Sequence, residues 1–227
     1  MISVIVPTFD EAANLARLLP ALAAQDGGRE VIVADGGSRD GTVALARARG
    51  ARVVSATPGR GAQLHVGALA AHGEVLLFLH ADTLFPAGGL AAVRAVMAAS
   101  PGIVGGNFRV VFDGASRFSR RLTTVYNGLR GRGLYYGDSG IFVRRAAYEA
   151  IGGFRPYPVM EDYDFVARLE AYGETRRIDE PALIVSARKF EGRPGYRVVW
   201  GWLMLHALYH LGVSPERLAR LYYPERR

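Results

Sequence analysis

The residues of this chain that could do chemistry gather in a few short clusters. Pro7-Thr8-Phe9-Asp10-Glu11 follows an apolar run at 2–6, and Asp35-Gly36-Gly37-Ser38-Arg39-Asp40-Gly41 follows another at 30–34. Pro58-Gly59-Arg60-Gly61 comes after residues 52–55, and His80-Ala81-Asp82-Thr83 after 74–79. Met160-Glu161-Asp162-Tyr163-Asp164 puts three carboxylates within four residues. An Asp at the end of an apolar strand can hold a hard divalent cation whose other ligands are substrate phosphates. Arg60 suits the phosphates themselves. Carboxylates buried together repel, and the raised pKa that results on one of them suits a general base. The same three acids also suit a first helical turn, where the helix dipole favours negative charge. His80, two residues before Asp82, shares its face if the chain is extended. It then either joins Asp82 on a metal or hydrogen-bonds to backbone.

Several familiar chemistries are excluded. Cys is absent, which removes disulfides, thiolate metal sites and a Cys nucleophile. A G-x-G-x-x-G fingerprint from Gly59 fails at Leu64, and a P-loop from Gly36 fails because Thr42 stands where Lys is needed.

Bringing these clusters together requires strands that end at one edge. Residues 2–6, 30–34, 52–55 and 74–79 read as buried strands. Residues 14–22, 42–49, 62–71 and 87–99 carry helical spacing, the second capped by Ser38 or Asp40. The alternation predicts a parallel sheet covered on both faces, with ligands beyond the carboxyl ends of its strands. Farther on, the pattern predicts strands at 103–112, 139–143 and near 182–185. It also predicts helices at 116–129, 145–151 and 161–172, and a helical tail from 196. The expected fold is α/β: one domain, a mostly parallel central sheet with helices on both faces, a mixed-sheet extension and C-terminal helices.

Half of the residues are hydrophobic, enough for a large core. Net charge is +7, and 27 of the 28 basic residues are Arg. Eight basic and three acidic residues lie in the last 41 positions, and five Arg with no acid lie between Asp113 and Asp138. Such clusters suit phosphates, anionic lipid headgroups or nucleic acid. Nucleic acid is set aside, because no recognition helix or aromatic RNA-binding motif accompanies them. The first apolar run lacks the basic flank of a signal peptide and ends at Pro7. No run reaches the ~20 apolar residues of a membrane span; the nearest, 198–213, is interrupted by His206 and His210. The chain is expected to be soluble or to lie on a membrane surface. In that run Val198, Val199, Trp200, Trp202, Leu203, Leu205, Leu208 and Leu211 are flanked by Arg193, Arg197, Arg217 and Arg220. This fits an interfacial helix, and equally a helix packed on the sheet or in a homodimer interface.

The ordered set of Val6-Pro7-Thr8-Phe9-Asp10-Glu11, Asp35 through Thr42, Leu79-His80-Ala81-Asp82-Thr83, Gly152-Gly153-Phe154 and Glu161-Asp162 resembles the family 2 glycosyltransferases of GT-A fold. The resemblance spans residues 1–190 and is strongest to small bacterial members that read H-A-D-T where most read D-x-D. It implies transfer of a sugar from a nucleotide diphosphate donor, usually with inversion, using Mn2+ or Mg2+. It implies one glycosyltransferase domain over 1–227, with a nucleotide-binding half at 1–100, an acceptor and catalytic half at 101–190 and a helical tail at 191–227. By position, Pro7, Thr8 and Glu11 would line the nucleoside pocket, Asp35 would contact base or ribose, and Arg60 base or phosphates. Asp82 would ligate the metal, with His80 as a further candidate ligand. Asp162 would be the general base, and Glu161 would orient it or contact the acceptor. Lipid carriers or envelope glycans are the implied acceptors, reached from the cytoplasm at the inner face of the membrane. Two departures stand out: Gly36 replaces the second of the usual paired Asp residues, and His80 replaces the first Asp of D-x-D. Gly36 is expected to relax the choice of nucleobase. A nucleotidyltransferase would carry a basic Gly-rich loop where Thr8-Phe9-Asp10-Glu11 is acidic. A non-catalytic nucleotide-sugar or lipid-binding module is the other reading that His80 allows.

Overall fold

The apolar runs of the first half do form neighbouring strands. In the computed structural model, which describes residues 1–114, 116–187 and 195–222, these are β1 (Ile2–Thr8), β2 (Arg29–Asp35), β3 (Arg52–Ser55) and β4 (Val75–Phe78). All four are parallel, in the order β3-β2-β1-β4. The chain builds outward from β1 on one side and then crosses to β4 on the other, which opens the crevice where α/β sheets hold ligands. Beyond β4 the sheet becomes mixed. There β6 (Ile141–Arg144) runs antiparallel to β4, β5 (Ile103–Phe112) antiparallel to β6, and β7 (Glu174–Val185) parallel to β5. β7 starts well before residue 182. Its first half, with Arg176, Arg177, Asp179 and Glu180, is charged because it is the open edge of the sheet.

Helices cover both faces. On one, α1 (Ala12–Ala23) buries Leu15, Leu18, Leu19 and Leu22. Behind it lie α2 (Thr42–Ala48), α4 (Gly89–Ala99) and α5 (Arg117–Leu129), in one core with Val4, Val6 and Leu77. On the other, α3 (Arg60–Ala70), α6 (Arg145–Ala150) and α7 (Glu161–Tyr172) pack on Ile5, Ile32, Leu76 and Phe78. Phe154, just after Gly152-Gly153, stacks on Phe165 of α7 with ring centroids 4.2 Å apart and so ties the approach loop to that helix.

The tail forms α8 (Gly195–His210) and α9 (Pro215–Tyr222). Of the arginines expected to flank it, Arg193 lies outside the described residues. The hairpin packs on the loop ends of the domain, where Leu205 and Leu218 join Val159, Met160 and Tyr163 in a third small core.

Strand register sets the level of the site. Thr8 pairs with Asp35, and Asp35 with Ser55, so β1, β2 and β3 end together. β4 stops lower, with Phe78 opposite both Ile5 and Ile141. Residues 79–83 and the segment leading into β6 therefore fold over the same end of the sheet.

Candidate active site

The turns after β1 and β2 are knitted together by short polar side chains. Asp35 is buried, and its carboxylate accepts from the Gly37 N–H (2.9 Å), the Ser38 N–H (3.0 Å), the Ser38 hydroxyl (2.5 Å) and the Thr8 hydroxyl (3.1 Å). Burial alone would raise its pKa, but these donors outweigh burial and hold it below the ordinary carboxylate value. Four accepted bonds match the capacity of a carboxylate, so Asp35 shapes the turn. Asp40 accepts from the Ala12 N–H and from Thr42, whose hydroxyl accepts the Glu11 N–H at 2.8 Å. The cap of α2 is Gly41 rather than Ser38 or Asp40. Glu11 stands half-buried at the start of α1 and binds Asn14, while Pro7 is half-buried beside Ala34.

His80 and Asp82 do not share a face of an extended strand. β4 ends at Phe78, and the Thr83 N–H closes a turn on the His80 carbonyl at 3.2 Å. His80 Nε2 lies 3.3 Å from Arg60 Nη1, which puts the ring nitrogen beside a cation. The Asp82 carboxylate is half-buried, with no hydrogen bond or ion pair to protein among the described residues. Among those residues, no group of three or more His, Asp or Glu is set to hold a metal ion.

Arg60 opens α3, and its Nε makes a 2.8 Å ion pair with Glu161, whose side chain is only 3% exposed against 36% for Arg60. Glu161 therefore turns inward to hold Arg60. Met160, which precedes Glu161 and Asp162 at the start of α7, sits in the left-handed region at φ 66° while buried. A bulky residue there is strained, and such strain recurs at functional sites.

Asp162 is half-buried; its Oδ2 accepts the Gly137 N–H at 2.9 Å and its Oδ1 the Tyr163 N–H at 2.8 Å. Both oxygens keep capacity to accept another proton. Gly137 belongs to a short 3-10 turn, Gly137–Ser139, that leads into β6. Next to it, Asp138 accepts the hydroxyl of buried Tyr126, and Tyr136 donates to His206 Nε2 at 3.0 Å. Burial, and then the charge of Asp162, keep the Tyr136 phenol well above its ordinary pKa. Since His206 Nδ1 gives its proton to the Trp202 carbonyl at 2.8 Å, its Nε2 is the acceptor.

The structure thus brings Arg60, His80, Glu161 and Asp162 around Gly137, and Thr8, Asp35 and Glu11 into the neighbouring turns. α3 joins the two groups. One turn after Arg60, buried Gln63 donates to the carbonyls of Thr8 (2.6 Å) and Ala34 (2.9 Å). Sequence reasoning missed Gln63, Gly137, Asp138 and Tyr136. Gln63 did leave a signal, as a polar residue on the apolar face that carries Leu64, Gly67 and Ala68.

The family described as "Glycosyl transferase family 2" matches residues 3–152. An uncharacterized glycosyltransferase of Mycobacterium tuberculosis is 32% identical over 111 residues, 48% of this chain and 50% of that protein. The chain therefore spans about half the length of the curated relatives it matches. Among solved structures, a mannosyltransferase from Pyrobaculum calidifontis in complex with GDP-Man and Mn2+ is 22% identical, with TM-score 0.68 over 99% of this chain and 68% of that one. Glucosyl-3-phosphoglycerate synthase from Mycobacterium tuberculosis, in complex with Mn2+, UDP and glucosyl-3-phosphoglycerate, is 21% identical, with TM-score 0.67 over 94% of this chain and 81% of that one. At these identities the structural likeness establishes the fold.

Proposed function

The chain belongs to glycosyl transferase family 2, and from that premise we propose that it moves a sugar, with inversion, from a nucleotide diphosphate donor to an acceptor hydroxyl. The observation that carries this reading is the reach of Arg60, 2.8 Å from Glu161 and 3.3 Å from His80. Residues from three distant segments thereby meet where β1 and β4 diverge.

Each residue has a task in that reaction. Arg60, one-third exposed and aimed by buried Glu161, holds the donor diphosphate and offsets the charge that grows as it departs. Asp162, fixed by two backbone N–H groups, takes the proton of the acceptor hydroxyl. The Gly137 segment positions that carboxylate against the cleft. Thr8, Glu11 and Pro7 line the nucleoside side, where Asp35 keeps the turn in shape. Asp82 fits a Mn2+ or Mg2+ ion: it is a hard oxygen donor without a protein partner among the described residues, and such ions take most ligands from phosphate and water. When bound, the ion supplies Lewis-acid stabilisation of the diphosphate. The Arg60 contact leaves His80 as a support for the guanidinium rather than a ligand.

No helix among the described residues is long and apolar enough to cross a membrane. The acceptor proposed is a lipid carrier or an envelope glycan, met at the cytoplasmic face of the membrane.

The test separates the carboxylates. Asp82→Ala should lose metal-dependent donor binding, read by calorimetry, together with transfer. Asp162→Asn should keep donor and metal binding while transfer falls by ~10² to 10⁴, the usual worth of a positioned base. Wild-type transfer by Asp162→Asn would refute the base assignment, and metal-dependent donor binding by Asp82→Ala would refute the metal assignment.

A further inference from the structure

We propose that the α8–α9 hairpin is a docking face for an anionic lipid bilayer. The proposal deepens the reading of a membrane-borne acceptor and rests on that reading for its purpose. α8 is apolar nearly all round, yet only one side of it is covered. Leu205 is buried in the third core, and Trp202, His206 and Tyr209 are partly buried beside it. On the opposite side Tyr196, Trp200, Leu203 and Leu211 are 70, 68, 60 and 79% exposed. Tyr196, Trp200 and Leu203, four and three residues apart, form one stripe along α8, and Leu211 stands just past its end. Single exposed apolar residues are ordinary, but a row of large ones marks an interaction surface. α9 packs beside α8, where a methyl group at Gly201 would lie 4.0 Å from the Tyr222 ring, and its Leu221 is 62% exposed.

The charges around this stripe decide the partner. Arg197, Arg217 and Arg220 are exposed on the same hairpin, and Glu216 is its only acid among the described residues. α5 stands at the same end of the molecule. Its Tyr126 packs on Tyr136 (5.7 Å between centroids), which in turn packs on His206 of α8 (5.8 Å). α5 exposes Arg117, Arg120 and Arg121 and carries no acid. A symmetric contact with a second copy would set these cations against their own counterparts, which like-charge repulsion opposes. Anionic headgroups suit the arginines. Trp and Tyr suit the interface itself, where one end of a ring is apolar and the other wet. α8 also carries the contacts that reach the site, His206 on Tyr136 (3.0 Å) and His210 on Tyr163 (2.8 Å), and these tyrosines adjoin Gly137 and Asp162. Docking by this face would hold the cleft at the bilayer surface, where a lipid-borne hydroxyl arrives.

The experiment is flotation of the whole chain with vesicles of phosphatidylcholine, with and without phosphatidylglycerol. Binding should be at least tenfold stronger to the anionic vesicles and weaken with salt, each surface arginine contributing about fivefold. Trp200→Ser combined with Leu203→Ser should abolish flotation and leave nucleotide-sugar binding and thermal stability unchanged, since both side chains face solvent. In Trp202→Phe, the single remaining Trp200 should shift its emission to the blue on anionic vesicles. Flotation retained by the double variant, or equal binding to neutral vesicles, would overturn the proposal. So would a wild-type dimer that fails to float and is split by the double variant, which would assign the face to a second copy. Vesicle binding without nucleotide-sugar binding would sink the proposed enzymatic function and leave the docking face standing.

Discussion

At Gly137 an added methyl group would stand 3.0 Å from His80 Nε2 and 3.3 Å from Asp162 Oδ2, tighter than a side chain comfortably sits. Gly137→Ala should therefore push the base and the His80–Arg60 pair apart without unfolding the chain. Misplacement of a catalytic group by about 1 Å costs about a hundredfold in rate, and a smaller shift costs correspondingly less. Transfer assays should show a loss of tenfold or more with an unchanged melting temperature, and a wild-type rate would remove Gly137 from the site. Asp35 is the opposite case, a carboxylate held by four hydrogen bonds from Thr8 and its own turn. Its folded pKa lies below the ordinary value of 3.8, so the unfolded chain takes up the proton first as pH falls. The stability it contributes is complete at neutral pH, declines below about pH 5, and is lost as pH drops through the lowered folded value. Asp35→Asn should cost about 1 to 3 kcal/mol at pH 7. The stability difference between the two proteins, read by denaturant titration, should shrink as pH falls below 3.8, and a constant difference would contradict the linkage.

Among the elements, α3 is the strut of the site. Arg60 at its first turn reaches Glu161, and Gln63 at its second bridges the Thr8 and Ala34 carbonyls. Gly36 lies against that bridge: an added methyl would lie 3.0 Å from Gln63 Nε2 and 3.2 Å from its Cδ. Gly36→Asp, which restores the paired acids usual in the family, should thus destabilise by about 1 to 3 kcal/mol through overpacking. Chemical denaturation measures this, and an equally stable variant would show that Gln63 can swing aside. Glu161→Gln keeps the size of the side chain but removes the charge that aims Arg60. Donor affinity should fall about tenfold, while the Asp162 dependence of transfer persists; calorimetry on the variant reads the first and the double variant with Asp162→Asn the second.

For the molecule as a whole, ligand and fold are coupled. A donor that binds the folded chain at a hundred times its Kd stabilises it by about 2.7 kcal/mol, or several degrees in melting temperature. On the proposal that Asp82 holds the metal, that upward shift should require Mn2+ or Mg2+ and vanish when EDTA is added. An undiminished shift in EDTA would mean that Arg60 and its neighbours bind the diphosphate unaided.

Residues 2–6 and 74–79 announced buried parallel strands because an apolar run without alternation is a local property. The turns after them were legible for the same reason: Gly, Asp and Ser close their hydrogen bonds within a few positions, as Asp35 does with Gly37 and Ser38. Glu161 and Asp162 could be placed at a helix start, and their resemblance to a family motif could be seen. Their division of labour could not. It depends on partners at positions 60 and 137, which only the packing of α3, α7 and the turn before β6 brings within 3 Å. The tail followed the same rule. Its apolar character lay in the sequence, but which side of α8 would be covered was decided in three dimensions, by Val159, Met160 and Tyr163 closing over Leu205 and leaving Trp200 and Leu203 in the open.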